Sequence, residues 1–520
     1  MPAGDYNWNM PRKRPSTSAL KRVHGSLCFE RAFPDSIASH REAVAGLREL
    51  ASAPIHYSFS FEVARWLARK VPGEVSIDWE ALDDTSKLDE LLTHLLRPSE
   101  DEYFDSGYVS SQEWIDIVRA GSGLSDFDWL MRQLTSKPLR KSWSQLYDAA
   151  DIPLVWNLAG SRFSKSCNVF PVNDIQTRSA GMRGRPRSPK KEIQRPLESI
   201  SKLESRDGAR LIDVAMASLA VRHRETWHFN FANAHEVYMA DVGEGVSVAV
   251  FGLLPEFRFP LECTMGYLIL SNGVPIGYGG SSIVFRQVNT GINIFDEYRG
   301  SEAAFLWVQV MRVYHALVGC TRFIANPYQF GGDNTEALRS GAFWFYYRLG
   351  YRPVLPEIRK LAQREAAKIH RNKRHRSDLK TLRKLASCDM HLTLPGARAS
   401  EFFDEQWIET SSMLATEVLG ASGGVTRTDA TRDVAKTVAR DIGLRSLDRW
   451  SSTEQRAFNS IAPIVATTNP KMWSVDAKRA LRELLRAKGG DREARYAKLL
   501  CQNDKLLNSL QNVCRRVDYL

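Results

Sequence analysis

The chain has 520 residues, 43% of them hydrophobic and 25% charged, with a formal net charge of +11. That length buries a large core without disulfide or metal staples and allows about two to four domains. No apolar run reaches the roughly 18 residues of a membrane-spanning helix, and the basic N-terminus lacks a secretory apolar core, so a cytoplasmic protein with no membrane span is expected. In chain order, residues 1–25 are read as a disordered basic arm. Residues 26–176 carry helical periodicity, with Val44, Leu47 and Leu50, then Val63, Trp66 and Leu67, then Leu88, Leu91, Leu92, Leu95 and Leu96 on successive apolar faces. Residues 177–206 begin with a stretch rich in Gly, Pro, Ser and Arg, the composition of a basic linker.

Residues 207–354 change character. A helix is expected over 211–220, then strands over 237–240, 246–254, 265–270, 274–284 and 291–295. Asn272-Gly273 falls between two of these strands, and this pair supplies the positive φ angles of a tight hairpin. The period then lengthens. Ala303, Leu306, Val310, Val313 and Leu317 mark a buried helix, 322–325 a short strand, and Leu338, Ala342, Phe345, Tyr346 and Leu349 a further helix that Gly350 ends. A strand–helix–strand crossover implies one locally parallel pair. Residues 355–520 are read as a basic helical C-terminal region.

The positive charge is local. Residues 178–195 hold seven basic and one acidic residue, and 352–384 hold twelve basic and three acidic, so the rest of the chain is net acidic. The seven cysteines are widely spaced with no CxxC pair, which indicates reduced thiols. Cys388 and His391 lie three apart without a second ligand pair, so no metal site is assigned.

The stretch from Asn293 to Ala304 (NIFDEYRGSEAA) resembles the acyl-coenzyme A loop of the GNAT N-acyltransferases. In that family a strand leads through an arginine- and glycine-rich turn into a helix, whose free amides hold the donor's pyrophosphate. Arg299 and Gly300 match the start of the pattern and Ala304 its end, but Glu302 stands where the family usually has glycine. Downstream, Asn334-Thr335-Glu336-Ala337 and the ending Tyr346-Tyr347-Arg348-Leu349-Gly350-Tyr351 match further family features, with about five extra residues between Asn334 and Tyr346.

The resemblance implies an α+β protein, a central GNAT-like mixed β-sheet domain flanked by N- and C-terminal helical regions. It implies acyl transfer from a thioester or other activated donor to an amine acceptor. No cofactor is bound permanently, and acyl-coenzyme A is the implied co-substrate. Ile294, Phe295, Arg299, Gly300, Ser301, Ala304 and Asn334 are the implied donor-binding residues, and Tyr346 the acid that protonates the leaving group. Glu297, Glu302, His228 and Glu256 are candidate bases for the acceptor. At Glu302 a carboxylate would repel pyrophosphate. The alternative is a non-catalytic protein of this fold that binds nucleic acid or a protein partner through its basic segments. Arg183, Arg185 and Arg187 form an Arg-Gly-Arg-Pro-Arg run of the kind that enters A·T-rich minor grooves.

Overall fold

The computed structural model describes residues 17–50, 52–136, 140–178, 180–300 and 302–518. The chain folds around a large mixed sheet with helices on both sides of it in sequence and in space. Among the described residues, no helix is long and apolar enough to cross a membrane.

The N-terminal region carries a small antiparallel sheet among its helices, which its helical periodicity did not announce. Its strands β1 (Ile55–Tyr57), β2 (Val75–Ile77) and β3 (Leu154–Trp156) run in the order β1-β3-β2. Three-residue strands are too short to express a period of two, so the signal was absent from the sequence. The basic arm was expected to reach residue 25, but a helix spans Thr17–Ala32. Residues 1–16 lie outside the described residues.

The large sheet holds β4 (Ser199–Lys202), β5 (Ala232–Gly243), β6 (Val246–Leu253), β7 (Cys263–Ser271), β8 (Val274–Val284), β9 (Gln287–Thr290), β10 (Asn293–Ile294), β11 (Arg322–Ala325), β12 (Arg352–Pro353) and β13 (Met390–Thr393). Their order is β12-β13-β11-β9-β8-β7-β6-β5-β4, with β10 paired to β8. All pairs are antiparallel except β9 with β11. The helix Ala303–Val318 crosses between these two, as the strand–helix–strand pattern required. It is buried on most of its circumference, through Leu306, Trp307, Val310, Met311 and Tyr314 among others.

The sheet extends past both ends of the 207–354 segment. β4 comes from the expected linker and pairs with β5. β13 comes from the C-terminal region and inserts between β11 and β12. The linker composition is misleading because its arginines find carboxylates and carbonyls to bind, and those contacts offset the ordering entropy.

Every residue of β7 is buried. Covering on both faces explains its near-continuous apolar run. The β7–β8 hairpin turns at Asn272 (φ 48) and Gly273 (φ 75). The Asn272 side chain donates to the Ala32 and Gln176 carbonyls and accepts from the Gln176 amide. The turn thereby fastens the N-terminal region to the sheet.

Candidate active site

β9 and β11 stay paired only from Gln287↔Arg322 to Asn289↔Ile324. Past that point the first strand turns away at Gly291–Ile292, and β10 joins β8 at Asn293↔Tyr278. β11 runs on into Asn326 and the turn Pro327–Phe330. The strands therefore part, and the chain's own side chains fill the gap. A Cβ on Gly291 would meet the Gln329 amide oxygen at 2.0 Å, so only glycine lets Gln329 lie there.

Tyr346 stands in this gap. Its ring packs edge-on against Trp307, Phe330 and Tyr351, and it is 3% exposed. Burial raises its phenol pKa, and a hydrogen bond with the Ile292 backbone amide partly opposes that rise. The phenol is thus held in its protonated form where the β9–β11 ladder ends.

Alternation along β9 assigns the two faces of the sheet. Thr290 faces the Ala303–Val318 helix, since Ser281 Oγ lies 3.0 Å from Thr290 Oγ1 and 2.6 Å from Tyr314 Oη. Asn289 therefore faces the other way, and its Nδ2 donates to Glu405 Oε2 at 3.0 Å. Burial raises Glu405 to about 7, the nearby Asp389 charge adds to the rise, and the Asn289 bond opposes it. Glu405 was not among the sequence candidates. It lies far along the chain from Asn289, and no local pattern marks a carboxylate that a distant strand desolvates.

The other candidate bases are less suited to the task. Glu297 is bound by Arg222 at 3.3 Å and Lys165 at 3.7 Å. Its burial works against the charge, but Arg222 and its other partners hold its pKa below the usual range. Its contacts commit it to these two cations. His228 is pushed down to about 4 by burial. A Cβ on Gly280 would overlap its ring, so β8 carries glycine to seat it. Glu256 is exposed at the end of the β6 turn.

The loop before the Ala303–Val318 helix departs most from the expected donor site. Glu302 is 1% exposed and is clamped by two guanidiniums from the segment that composition marked as a linker. Arg178 Nη1 lies 2.6 Å from Oε1 and Arg183 Nη2 2.7 Å from Oε2. The Arg183 amide and Nε also donate to it. Burial disfavours the charge, yet these hydrogen bonds outweigh it and hold the carboxyl below its ordinary range. Glu302 is therefore committed to the Arg178 and Arg183 clamp rather than facing an open phosphate cradle as a bare charge. Its carboxylate occupies an anion site built by this chain's own arginines.

The remaining loop residues divide as follows. Ile294 pairs in β10 and Phe295 stacks on Tyr278 at 5.5 Å. Arg299 is bound by Asp296 and Glu336, each at 2.9 Å, so its charge is balanced on the surface. Gly300 has φ +91, a left-handed turn before the helix. Ala304 packs against the core and Ser301 lies outside the described residues. Asn334 caps the short helix Thr335–Ser340 through the Ala337 amide at 3.0 Å. The single helix expected to reach Tyr346 is two, because Gly341 takes φ +67 and starts a second one, Ala342–Leu349. This break absorbs the extra residues between Asn334 and Tyr346.

The Arg-Gly-Arg-Pro-Arg run is used inside the protein. Arg183 is committed to Glu302 and also lies 4.0 Å over the Phe305 ring. Arg185 donates to the Arg348 carbonyl, and Arg187 is exposed. A minor-groove grip by all three would require breaking the buried Arg183 contacts, so the three together do not form a free hook. Among the described residues, no group of three or more His, Cys, Asp or Glu side chains could hold a metal ion.

Comparison with protein-family models, with curated proteins and with solved structures finds no match to this chain.

Proposed function

We propose that the protein is a GNAT-like N-acyltransferase whose donor is held by contacts other than the usual pyrophosphate loop. The observation that carries this reading is the placement of Tyr346 and Glu405 about one strand. Tyr346 meets the Ile292 amide at the parting of β9 and β11, and Glu405 meets Asn289 on the opposite face. An acyl carbonyl that displaced the Gln329 side chain from the parting would meet the Tyr346 proton donor, with Glu405 across the strand as a proton acceptor. The acceptor nitrogen attacks the carbonyl carbon while Glu405, ionised, takes its proton. The bond to the leaving group breaks, and that group takes the Tyr346 proton. A carboxyl near neutrality is suited to this task because it is both available and basic at working pH.

The full-length protein is to be assayed with labelled acetyl-coenzyme A and with aminoacylated tRNA as donors, and with a polyamine and a lysine peptide as acceptors. Transfer is expected with at least one donor. Tyr346→Phe and Glu405→Gln should each lower kcat by about 100-fold or more, the usual yield of acid–base groups. Transfer that neither substitution affects would sink the assignment.

A second reading is favoured by the Glu302 clamp. A fold that fills its own anion site with a carboxylate and two arginines is also suited to a protein that binds without catalysis. Absence of transfer from every donor, together with retained folding of both variants, would favour it.

A further inference from the structure

A concavity lies on the sheet face that carries Asn289, near the β12 end of the sheet. Its volume is about 370 Å³, and Lys190, Arg322, Arg352, Arg359, His391 and Thr393 line it. These residues come from four parts of the chain: the helix Pro189–Gln194, β11, the β12–β13 pair and the helix Pro356–Arg371.

The guanidiniums are held in place by groups that carry no countercharge. Arg322 lies 3.4 Å over the Phe402 ring, and its Nε is 3.4 Å from Thr393 Oγ1. Arg352 lies 4.1 Å over Tyr347 and donates to the Tyr347 and Tyr351 carbonyls. Arg359 donates to the Pro353 and Val354 carbonyls. A Cβ on Gly350 would lie 3.9 Å from Lys190 Cε, which places the ammonium stem at this rim. Among the described residues, none of these four cations forms an ion pair. Asp404 acts electrostatically on Arg322 from an adjoining cavity of about 260 Å³, which shares Arg322, Val354 and His391 and is also lined by Asp389 and Glu405. Burial first, then the Arg322 and Arg359 charges, lower His391 to about 4, so these two cations act on one imidazole.

Four cations held together without a partner repel one another, and a multivalent anion removes that repulsion. Guanidinium forks with unused N–H groups match phosphate oxygens in geometry as well as charge. The Tyr347 and Phe402 rings are already covered by Arg352 and Arg322, so neither offers a free face there for stacking a nucleic-acid base. We propose that this cavity binds the di- or triphosphate group of a small molecule. Neither Tyr346 nor Glu405 lines this cavity, although Glu405 lines the one adjoining it, and the proposal stands whether or not acyl transfer occurs at that pair.

The test titrates the full-length protein with pyrophosphate at constant ionic strength, following heat and the His391 ring signals by NMR. One saturable site is expected, with the His391 pKa rising from about 4 as the anion offsets Arg322 and Arg359. Because Arg352 and Arg359 are exposed, the pair Arg352→Gln and Arg359→Gln should leave the fold intact. It should weaken binding by about tenfold or more, as should Lys190→Gln combined with Arg359→Gln. A nucleoside triphosphate should displace pyrophosphate, and a single-stranded oligonucleotide should do so only at higher phosphate concentration. Lack of saturation, an unmoved His391, unchanged affinity in both variants, or preferential displacement by the oligonucleotide would each overturn the proposal.

Discussion

Glu302 shows how a single side chain can change meaning once its partners are known. A carboxylate at a helix start is favourable by itself, and two arginines make it the centre of a buried cluster. Removing one partner of such a cluster leaves charges uncompensated, so Glu302→Gln should cost about 3 kcal/mol or more in denaturant unfolding. The folded-state pKa of Glu302 is depressed, so its stabilising share is present above the unfolded carboxyl value and is lost as pH falls through the folded one. The variant's deficit should therefore shrink towards strongly acidic pH. Glu405 has the opposite sign. Its folded pKa is raised to about 7, so it favours the fold below the unfolded value of about 4.5 and that share is lost as pH rises through about 7. Glu405→Gln should match the parent near pH 4.5 and be the more stable of the two at pH 8. If Glu405 is the base, the parent's transfer rate should also climb with pH through about 7. Unfolding curves of parent and variant that stay parallel across this range would refute the desolvated placement of Glu405.

The β7–β8 hairpin is the element on which most of the sheet depends, and its turn has no slack. Gly273 has φ +75, and a Cβ there would stand 2.0 Å from the Phe170 carbonyl oxygen, a backbone atom that cannot rotate away. Phe170 also donates its amide to the Gly273 carbonyl at 2.8 Å. Gly273→Ala thus combines an unfavourable conformation with a clash, and a loss of about 2 kcal/mol or more is expected in urea unfolding. Gly341→Ala is the comparison: it has φ +67 but open space around its Cβ position, so it should cost only about 1 kcal/mol. Equal costs at the two glycines would show that crowding at Phe170 plays no part.

The C-terminal helices are bound to the sheet by charge as well as by apolar packing. Arg258 lies 3.2 Å from Glu236 and 3.5 Å from Glu493, and Lys488 lies 3.8 Å from Glu493. Glu493 also accepts the Leu253 and Thr264 amides, and Glu236 accepts the Ala494 amide. All four charged side chains are almost completely buried. Arg258→Met should therefore destabilise by about 3–5 kcal/mol, because two buried carboxylates lose their shared partner. It should also uncouple the C-terminal helices, giving two thermal transitions in calorimetry where the parent gives one. A single lowered transition would mean that apolar packing alone keeps the regions cooperative.

Periodicity and turn chemistry were sufficient for the central elements. β8 and β11 span the expected 274–284 and 322–325, and Asn272-Gly273 makes the expected turn. These features are local: each is set by residues a few positions apart, and a single sequence contains them. The Tyr346 ending was also visible, since a helix closing on Leu-Gly-Tyr is a short pattern. The partners of those residues were not visible. Arg178 and Arg183 looked like linker residues, β13 looked like part of a helical tail, and Glu405 carried no mark at all. Arg178 and Arg183 acquire their role by meeting Glu302, and Glu405 by meeting Asn289, each more than a hundred positions away along the chain, and β13 by pairing with β11 about seventy positions before it. Charge neutralisation and desolvation depend on what surrounds a group in space, and only the folded chain decides that.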